Sequence, residues 1–118
     1  MRRLGAPLRP ADDDPPQLSL SCTSTPERVI VAVRGEVDAC TSGQLKQQLI
    51  DVMDGAGNLP VEADLGDMTF IDSSGLSVLV EMHLEARSRG TTFVLLGARP
   101  SAAKVFEIVG LNSILTFR

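Results

Sequence analysis

Hydrophobic and polar residues alternate along the first half of the chain in a pattern typical of β-strands. Leu18, Leu20 and Cys22 alternate with polar residues, which predicts a half-buried strand. A turn around Pro26 follows, and residues 29–33 are apolar on both faces, so they predict a more deeply buried strand. Because the connection is short, we expect the two strands to pair as an antiparallel hairpin.

The rest of the chain alternates between helical and strand patterns. Helices are predicted over about residues 42–54, 74–89 and 100–109, and further strands over 60–65, 91–97 and 114–117. Thr41 or Ser42 is expected to cap the first helix, and Gly66-Asp67 is expected to break the chain after the third strand. The order β-β-α-β-α-β-α-β predicts a single α/β domain. Its mixed sheet combines an N-terminal antiparallel hairpin with parallel strands, packed with about three to four helices.

The second predicted helix has a wider apolar arc than one core-facing side requires. Its apolar residues are Leu76, Val78, Leu79, Val80, Met82 and Leu84. Such an arc has two explanations, a thoroughly buried central helix or a helix that also faces a partner. Val109, near the end of the last helix, is expected to point inward with the other apolar residues of that helix.

Composition narrows the class of protein. Residues 1–16 are rich in Pro, Asp and Arg without an apolar period, so we expect a disordered tail before a domain over residues 17–118. A net charge of −4 and the absence of Trp and Tyr argue against nucleic-acid binding. No apolar stretch reaches the ~18–20 residues that a membrane span needs, and no secretion signal follows the first residues. Cys22 and Cys40 show neither metal nor disulfide spacing, which suits a cytoplasmic protein.

The most informative stretch is the corner Asp72-Ser73-Ser74-Gly75, which lies between an apolar run and the second helix. Asp and Ser side chains accept hydrogen bonds from the free N–H groups of a first helical turn. A hydroxyl there is held out of the core, beside the positive end of the helix dipole. Helix capping alone explains this composition, but the position also suits a regulatory serine.

Catalysis does not fit the sequence. The only histidine, His83, follows Ser73 by ten residues, which is about 15 Å along a helix at 1.5 Å per residue. A serine hydrolase needs its base beside the nucleophile. No Gly-x-Ser-x-Gly elbow, phosphate-cradling glycine loop or paired metal-ligand set occurs, so we expect no enzyme, no metal and no cofactor.

Three blocks of sequence together carry a resemblance to a known family. They are residues 33–38, residues 64–65 and residues 70–76, and residues 104–111 match the family's last helix and turn. Over about residues 17–118 the chain resembles bacterial anti-sigma factor antagonists of the STAS domain class. The resemblance implies that the unmodified protein binds an anti-sigma factor with serine kinase activity and so releases a sigma factor. Phosphorylation of the antagonist then separates the two, and a metal-dependent serine phosphatase reverses it.

The resemblance also assigns residues. The acceptor is the hydroxyl directly after the Asp, which is Ser73, with Ser74 as the second choice. Partner contacts are expected at Asp38, Asp72, Ser73, Ser74, Gly75, Leu76 and Ser77. The same motifs allow a second function, a STAS scaffold in a stress-sensing or lipid-transport complex whose serine is not phosphorylated. The oligomeric state is not fixed by the sequence, and a monomer is favoured.

Overall fold

An antiparallel hairpin opens the described part of the chain, as the alternating pattern predicts. The structure is a computed structural model that describes residues 16–118, so the predicted tail of residues 1–16 lies almost wholly outside the described residues. Strands β1 (Leu18–Ser24) and β2 (Val29–Val37) pair antiparallel around the turn at Pro26. This pairing leaves β1 at one edge of the sheet.

The remaining elements alternate between helices and parallel strands. They are α1 (Ser42–Ala56), β3 (Val61–Ile71), α2 (Ser73–Ser88), β4 (Phe93–Leu96), α3 (Pro100–Ile108), a 3-10 turn (Leu111–Ser113) and β5 (Thr116–Phe117). The five strands form one sheet in the order β1-β2-β3-β4-β5, and every pair after the hairpin is parallel. The predicted fold class and element order are therefore confirmed. No helix within residues 16–118 is long and apolar enough to cross a membrane.

The core lies between one face of the sheet and the helices α1 and α2. Val31, Ala63 and Leu95 lie side by side on neighbouring strands and are almost completely buried. Leu49 of α1 and Leu79 of α2 are buried against them in the same hydrophobic cluster. Fully burying such a side chain contributes roughly 1.5–3 kcal/mol, so this layer holds the sheet and the two helices together.

The expected break at Gly66-Asp67 is wrong, because β3 continues through it to Ile71. Ala32 pairs with Asp64 but Arg34 pairs with Asp67, so β3 accommodates one extra residue as an irregularity in the ladder. The Asp64 carboxylate accepts a hydrogen bond from Gly66 N at 2.9 Å, which stabilises the irregular backbone locally. The glycine and the polar residue beside it suggested the end of the strand, whereas the strand continues there with a bulge.

The last helix differs from its prediction at its C-terminal end. It ends at Ile108, and Val109 is 51% exposed instead of pointing inward. Phe106 carries the inward packing, with its ring centroid 5.2 Å from that of Phe117 of β5. β4 and β5 are also shorter than predicted, because their outer residues leave the parallel ladder.

Candidate functional site

The corner between β3 and α2 is organised by the carboxylate of Asp72. Asp72 is the N-cap of α2 and has extended backbone angles. Its Oδ1 accepts hydrogen bonds from Ser74 N at 2.9 Å and from Gly75 N at 3.3 Å. These are two of the N–H groups that a helix leaves free in its first turn, so the cap stabilises the start of α2.

The two serines after Asp72 have different roles. The Ser74 hydroxyl is partly buried and donates to Asp72 Oδ1 at 2.5 Å. Ser73, the first residue of the helix, is exposed, and no hydrogen bond within residues 16–118 engages its hydroxyl. Its carbonyl oxygen accepts from the Ser77 hydroxyl at 3.0 Å. The Ser74 hydroxyl therefore supports the Asp72 cap, while the Ser73 hydroxyl is exposed and has no hydrogen-bond partner among the described residues.

Hydrogen bonds keep Asp72 ionised. The Ser74 hydroxyl is the main cause of the lowered pKa of this carboxyl. Desolvation opposes it, and the backbone N–H groups of Gly75, Ser74 and Ala39 lower the pKa further. Ala39 belongs to the loop between β2 and α1, which therefore lies beside the carboxylate. It remains an acceptor and does not become a proton donor at neutral pH.

Gly75 permits α2 to begin close to the sheet. It is buried, and a Cβ atom there would lie 2.5 Å from Val37 Cγ1 and 2.7 Å from Ile71 Cγ1. Both neighbours are buried β-branched residues at the ends of β2 and β3, where Asp72 N also donates to the carbonyl of Val37. The glycine faces the interior, and the role in partner contact that the sequence suggested for it stays a prediction.

The loop between β2 and α1 forms the neighbouring part of the site. Asp38 Oδ1 accepts from Cys40 N at 2.9 Å and Thr41 N at 3.1 Å, and its other oxygen accepts from the Gln17 amide at 2.8 Å. The buried Thr41 hydroxyl donates to the Glu36 carbonyl oxygen at 2.8 Å and accepts from Asp38 N. Thr41 stands at the N-cap position, as predicted, but its side chain holds the loop and makes no cap hydrogen bond to α1.

Asp38 and Ser73 therefore follow two adjacent parallel strands at the same end of the sheet. The structure ties their loops together through the hydrogen bond from Asp72 N to the Val37 carbonyl oxygen. Within residues 16–118, no three side chains of His, Cys, Asp or Glu lie close enough to hold a metal ion. The chemistry that this edge offers is one free hydroxyl beside one fixed carboxylate, at the positive end of a helix.

An apolar groove of about 410 Å³ begins at Ser73. It is lined by Ser73, Leu76, Ser77, Val80, Glu81, Val109 and Leu111. Sequence reasoning missed this groove because it placed Val109 in the core. The wide apolar arc of α2 has a mixed explanation: Val78 and Met82 are buried, whereas Leu84 is 56% exposed. Part of the arc therefore packs inside and part reaches the surface.

Comparisons with known proteins agree with this architecture. The family model described as Mlab, STAS domain matches residues 20–116. The chain is 30% identical over 92 residues to an anti-sigma-B factor antagonist of Listeria monocytogenes, covering 78% of this chain and 80% of that protein. The crystal structure of an anti-sigma factor antagonist from Mycobacterium paratuberculosis has a TM-score of 0.74 at 22% identity, covering 85% and 84% of the two chains.

The same fold occurs in SpoIIAA, an anti-sigma factor antagonist with structures in two states. Its unphosphorylated form matches with a TM-score of 0.69 at 22% identity, covering 86% of this chain and 87% of that chain. The phosphorylated form of the Bacillus protein matches with a TM-score of 0.62 at 24% identity, covering 86% and 90%. The fold thus defines a small α/β domain of the STAS type. The chain belongs to the STAS domain family, and its relatives there are anti-sigma factor antagonists.

Proposed function

We propose that this chain is an anti-sigma factor antagonist that is switched by phosphorylation of Ser73. In the unphosphorylated form it binds an anti-sigma factor with serine kinase activity, which frees a sigma factor, and a serine phosphatase restores that form after phosphorylation. The relatives named as antagonists support the general role. The observation that carries the proposal is the free, exposed hydroxyl of Ser73 beside the engaged hydroxyl of Ser74.

A phosphate at Ser73 can act through charge alone. It adds about −1.5 to −2 charges at neutral pH. At the first residue of α2 the helix dipole favours an anion, and the side chain of Ser73 is exposed to solvent, so the free chain is expected to keep its fold. A partner that covers Ser73 has to desolvate this charge, and losing binding a hundredfold requires only ~2.8 kcal/mol at 1.4 kcal/mol per decade. No large conformational change is required.

The groove next to Ser73 indicates where the partner would lie. Leu76, Ser77 and Val80 of α2 form one wall, and the segment after α3 forms the other. A partner that buries this apolar surface passes directly over the acceptor hydroxyl. Asp38 and Asp72, which follow the neighbouring strands, would then flank the contact.

The acceptor assignment is tested by incubating the chain with the anti-sigma kinase and ATP and measuring the intact mass. We expect one added phosphate on the natural chain and on Ser74→Ala, and none on Ser73→Ala. The two variants remove the same atom from adjacent residues, so the comparison isolates which hydroxyl accepts. A phosphate that persists on Ser73→Ala and disappears on Ser74→Ala would overturn the assignment.

The second candidate function is the STAS scaffold without phosphorylation, in a stress-sensing or lipid-transport complex. It uses the same fold and the same edge of the sheet, and the matching family model carries the name of another member, Mlab, instead of an antagonist. The mass measurement separates the two functions. An unmodified mass with every anti-sigma kinase from the same genome would favour the scaffold.

A further inference from the structure

Strand β1 forms an edge of the sheet whose hydrogen-bonding groups alternate between two sides. The Gln17 carbonyl accepts from Glu36 N at 2.8 Å, and Thr25 N donates to the Arg28 carbonyl at 2.9 Å. The register with β2 runs without a shift between these two points. The odd-numbered residues of β1 therefore direct their N–H and C=O groups toward β2, and the even-numbered residues direct theirs away from the sheet.

One of these outward groups already has a partner. Gln44, on the first turns of α1, donates its side-chain amide to the Leu18 carbonyl oxygen at 3.2 Å. No strand within residues 16–118 pairs with the outer side of β1. The N–H and C=O groups of Leu20, Cys22 and Ser24 are consequently left for another strand.

The edge lacks the features by which proteins usually prevent strand pairing. Natural edge strands carry Lys, Pro, a bulge or an inward-pointing charge. Leu18–Ser24 contains no charged residue and no proline, and its pairing with β2 is regular. Although the chain has a net charge of −4, a second copy can approach this segment without placing like charges opposite each other.

We propose that the outer edge of β1 pairs with β1 of a second copy of this chain. An antiparallel pairing about a two-fold axis brings identical surfaces together, which is the geometry of most homodimers. Because outward groups must meet outward groups, even-numbered residues pair with even-numbered residues. Only an axis at Cys22 pairs Leu20, Cys22 and Ser24 of one copy entirely with the same three residues of the other. An axis at Leu20 or Ser21 would require the Leu18 backbone, whose carbonyl oxygen Gln44 occupies. An axis at Thr23 or Ser24 would require Pro26, which has no N–H group, so the structure assigns the axis to Cys22.

In this register Cys22 lies opposite Cys22 of the second copy, and Leu20 lies opposite Ser24. The three even-numbered residues of each strand exchange their backbone hydrogen bonds, and the two sheets become one ten-stranded sheet. The shared edge is short compared with the ~800 Å² per partner of a standard interface, so the dimer is weak and depends on concentration. This inference is independent of the role of Ser73.

Amide hydrogen exchange, followed by NMR on the full chain at low and high concentration, tests the pairing. The amides of Ser21 and Thr23 face β2 and should exchange slowly throughout. Those of Leu20, Cys22 and Ser24 should exchange fast in dilute solution and slowly in concentrated solution. Fast exchange at every concentration would overturn the proposal. Slow exchange at every concentration in a particle of monomer mass would also overturn it, because a segment of the same chain would then cover the edge.

The two exposed cysteines allow a matched test of the register. A short bismaleimide should link two natural chains, and equally two Cys40→Ser chains, but not Cys22→Ser chains. Cys22→Arg should abolish the concentration-dependent increase in mass seen by sedimentation, because it places like charges opposite each other, whereas Cys40→Arg should leave that increase unchanged. Circular dichroism confirms that the variants fold. Cross-linking that survives Cys22→Ser, or an increase in mass that survives Cys22→Arg, would contradict the proposal.

Discussion

The hydroxyls of Ser73 and Ser74 show how one residue step decides a chemical role. Both serines belong to the first turn of α2, but only the Ser74 hydroxyl reaches back to the Asp72 carboxylate. The carboxylate thereby collects three donors from two residues and keeps its charge. A neighbouring hydroxyl that is not needed for the cap is left free to react.

This division predicts unequal costs in stability for two adjacent substitutions. Ser74→Ala should lower the free energy of unfolding by about 1 kcal/mol, the typical net value of one intramolecular hydrogen bond. Ser73→Ala should change it by less than about 0.5 kcal/mol, as expected for an exposed residue without such a contact. Urea denaturation measures both. An equal loss in the two variants would show that the Ser73 hydroxyl is also part of the cap.

At the scale of elements, the two strands of the hairpin meet at a backbone approach that only glycine allows. Gly35 has a φ of +104°, and a Cβ atom there would overlap the Gln17 carbonyl oxygen. That carbonyl accepts the hydrogen bond from Glu36 N, so the crowding atom cannot move without loss of the pairing. The same stretch of β2 contains the register shifts that lead into the site.

Two glycine substitutions should therefore have opposite effects on stability. Gly35→Ala should destabilise the fold by about 1–3 kcal/mol, because the backbone angle is strained and the carbonyl of Gln17 is displaced. Gly43→Ala, on α1 with open space around the new methyl group, should stabilise it by up to about 1 kcal/mol. Thermal and urea denaturation of both variants provide the measurement. Tolerance of alanine at Gly35 would contradict the close approach.

At the scale of the whole molecule, one buried carboxylate connects distant parts of the chain. Glu62 lies on the sheet face opposite to the main core and is 4% exposed. Its Oε2 lies 2.5 Å from Arg118 Nη2 and 3.4 Å from Arg28 Nη1. Burial alone would raise the pKa of Glu62, but the hydrogen bond and charge of Arg118, together with those of Arg28, lower it below its ordinary value of 4.5.

A lowered pKa means that folding favours the ionised Glu62. Its contribution to stability is present above pH 4.5 and is lost as the pH falls through the lower pKa of the folded state. Glu62→Gln should cost about 1–2 kcal/mol at pH 7, less than for a fully buried pair, because both arginines are partly exposed. Urea titrations from pH 7 to pH 3 should show that the difference in the free energy of unfolding between the natural chain and Glu62→Gln narrows below pH 4.5. A constant gap would contradict the ion-pair account.

The sequence predicted what depends on local pattern and could not predict what depends on contacts between distant segments. Alternation and helical spacing were enough for the element order and the hairpin, and capping chemistry placed the start of α2 within one residue. The continuation of β3 through Gly66-Asp67 depends on pairing with β2, which no local signal contains. The burial of Glu62 requires Arg28 and Arg118, at opposite ends of the domain.

The site shows the same limit. Asp72, Ser73 and Ser74 were found as a group, but the distinction between the two hydroxyls appears only in their hydrogen bonds. Asp38 was named as a partner contact from the family resemblance alone. Its hydrogen bond with Gln17, and the bond by which Thr41 holds the loop, depend on how the loop folds. Val109 was assigned to the core because apolar spacing does not identify the exact residue at which α3 ends.

The most direct test of the central claim is the affinity of the chain for its anti-sigma kinase in three forms. Isothermal titration calorimetry should compare the unmodified chain, the chain phosphorylated at Ser73 and the variant Ser73→Asp, with Ser74→Ala as the control. The account predicts binding about a hundredfold weaker for the phosphorylated chain, equivalent to ~2.8 kcal/mol, a smaller loss for Ser73→Asp, and little change for Ser74→Ala. Equal affinity of the phosphorylated and unmodified chains would contradict a switch at Ser73.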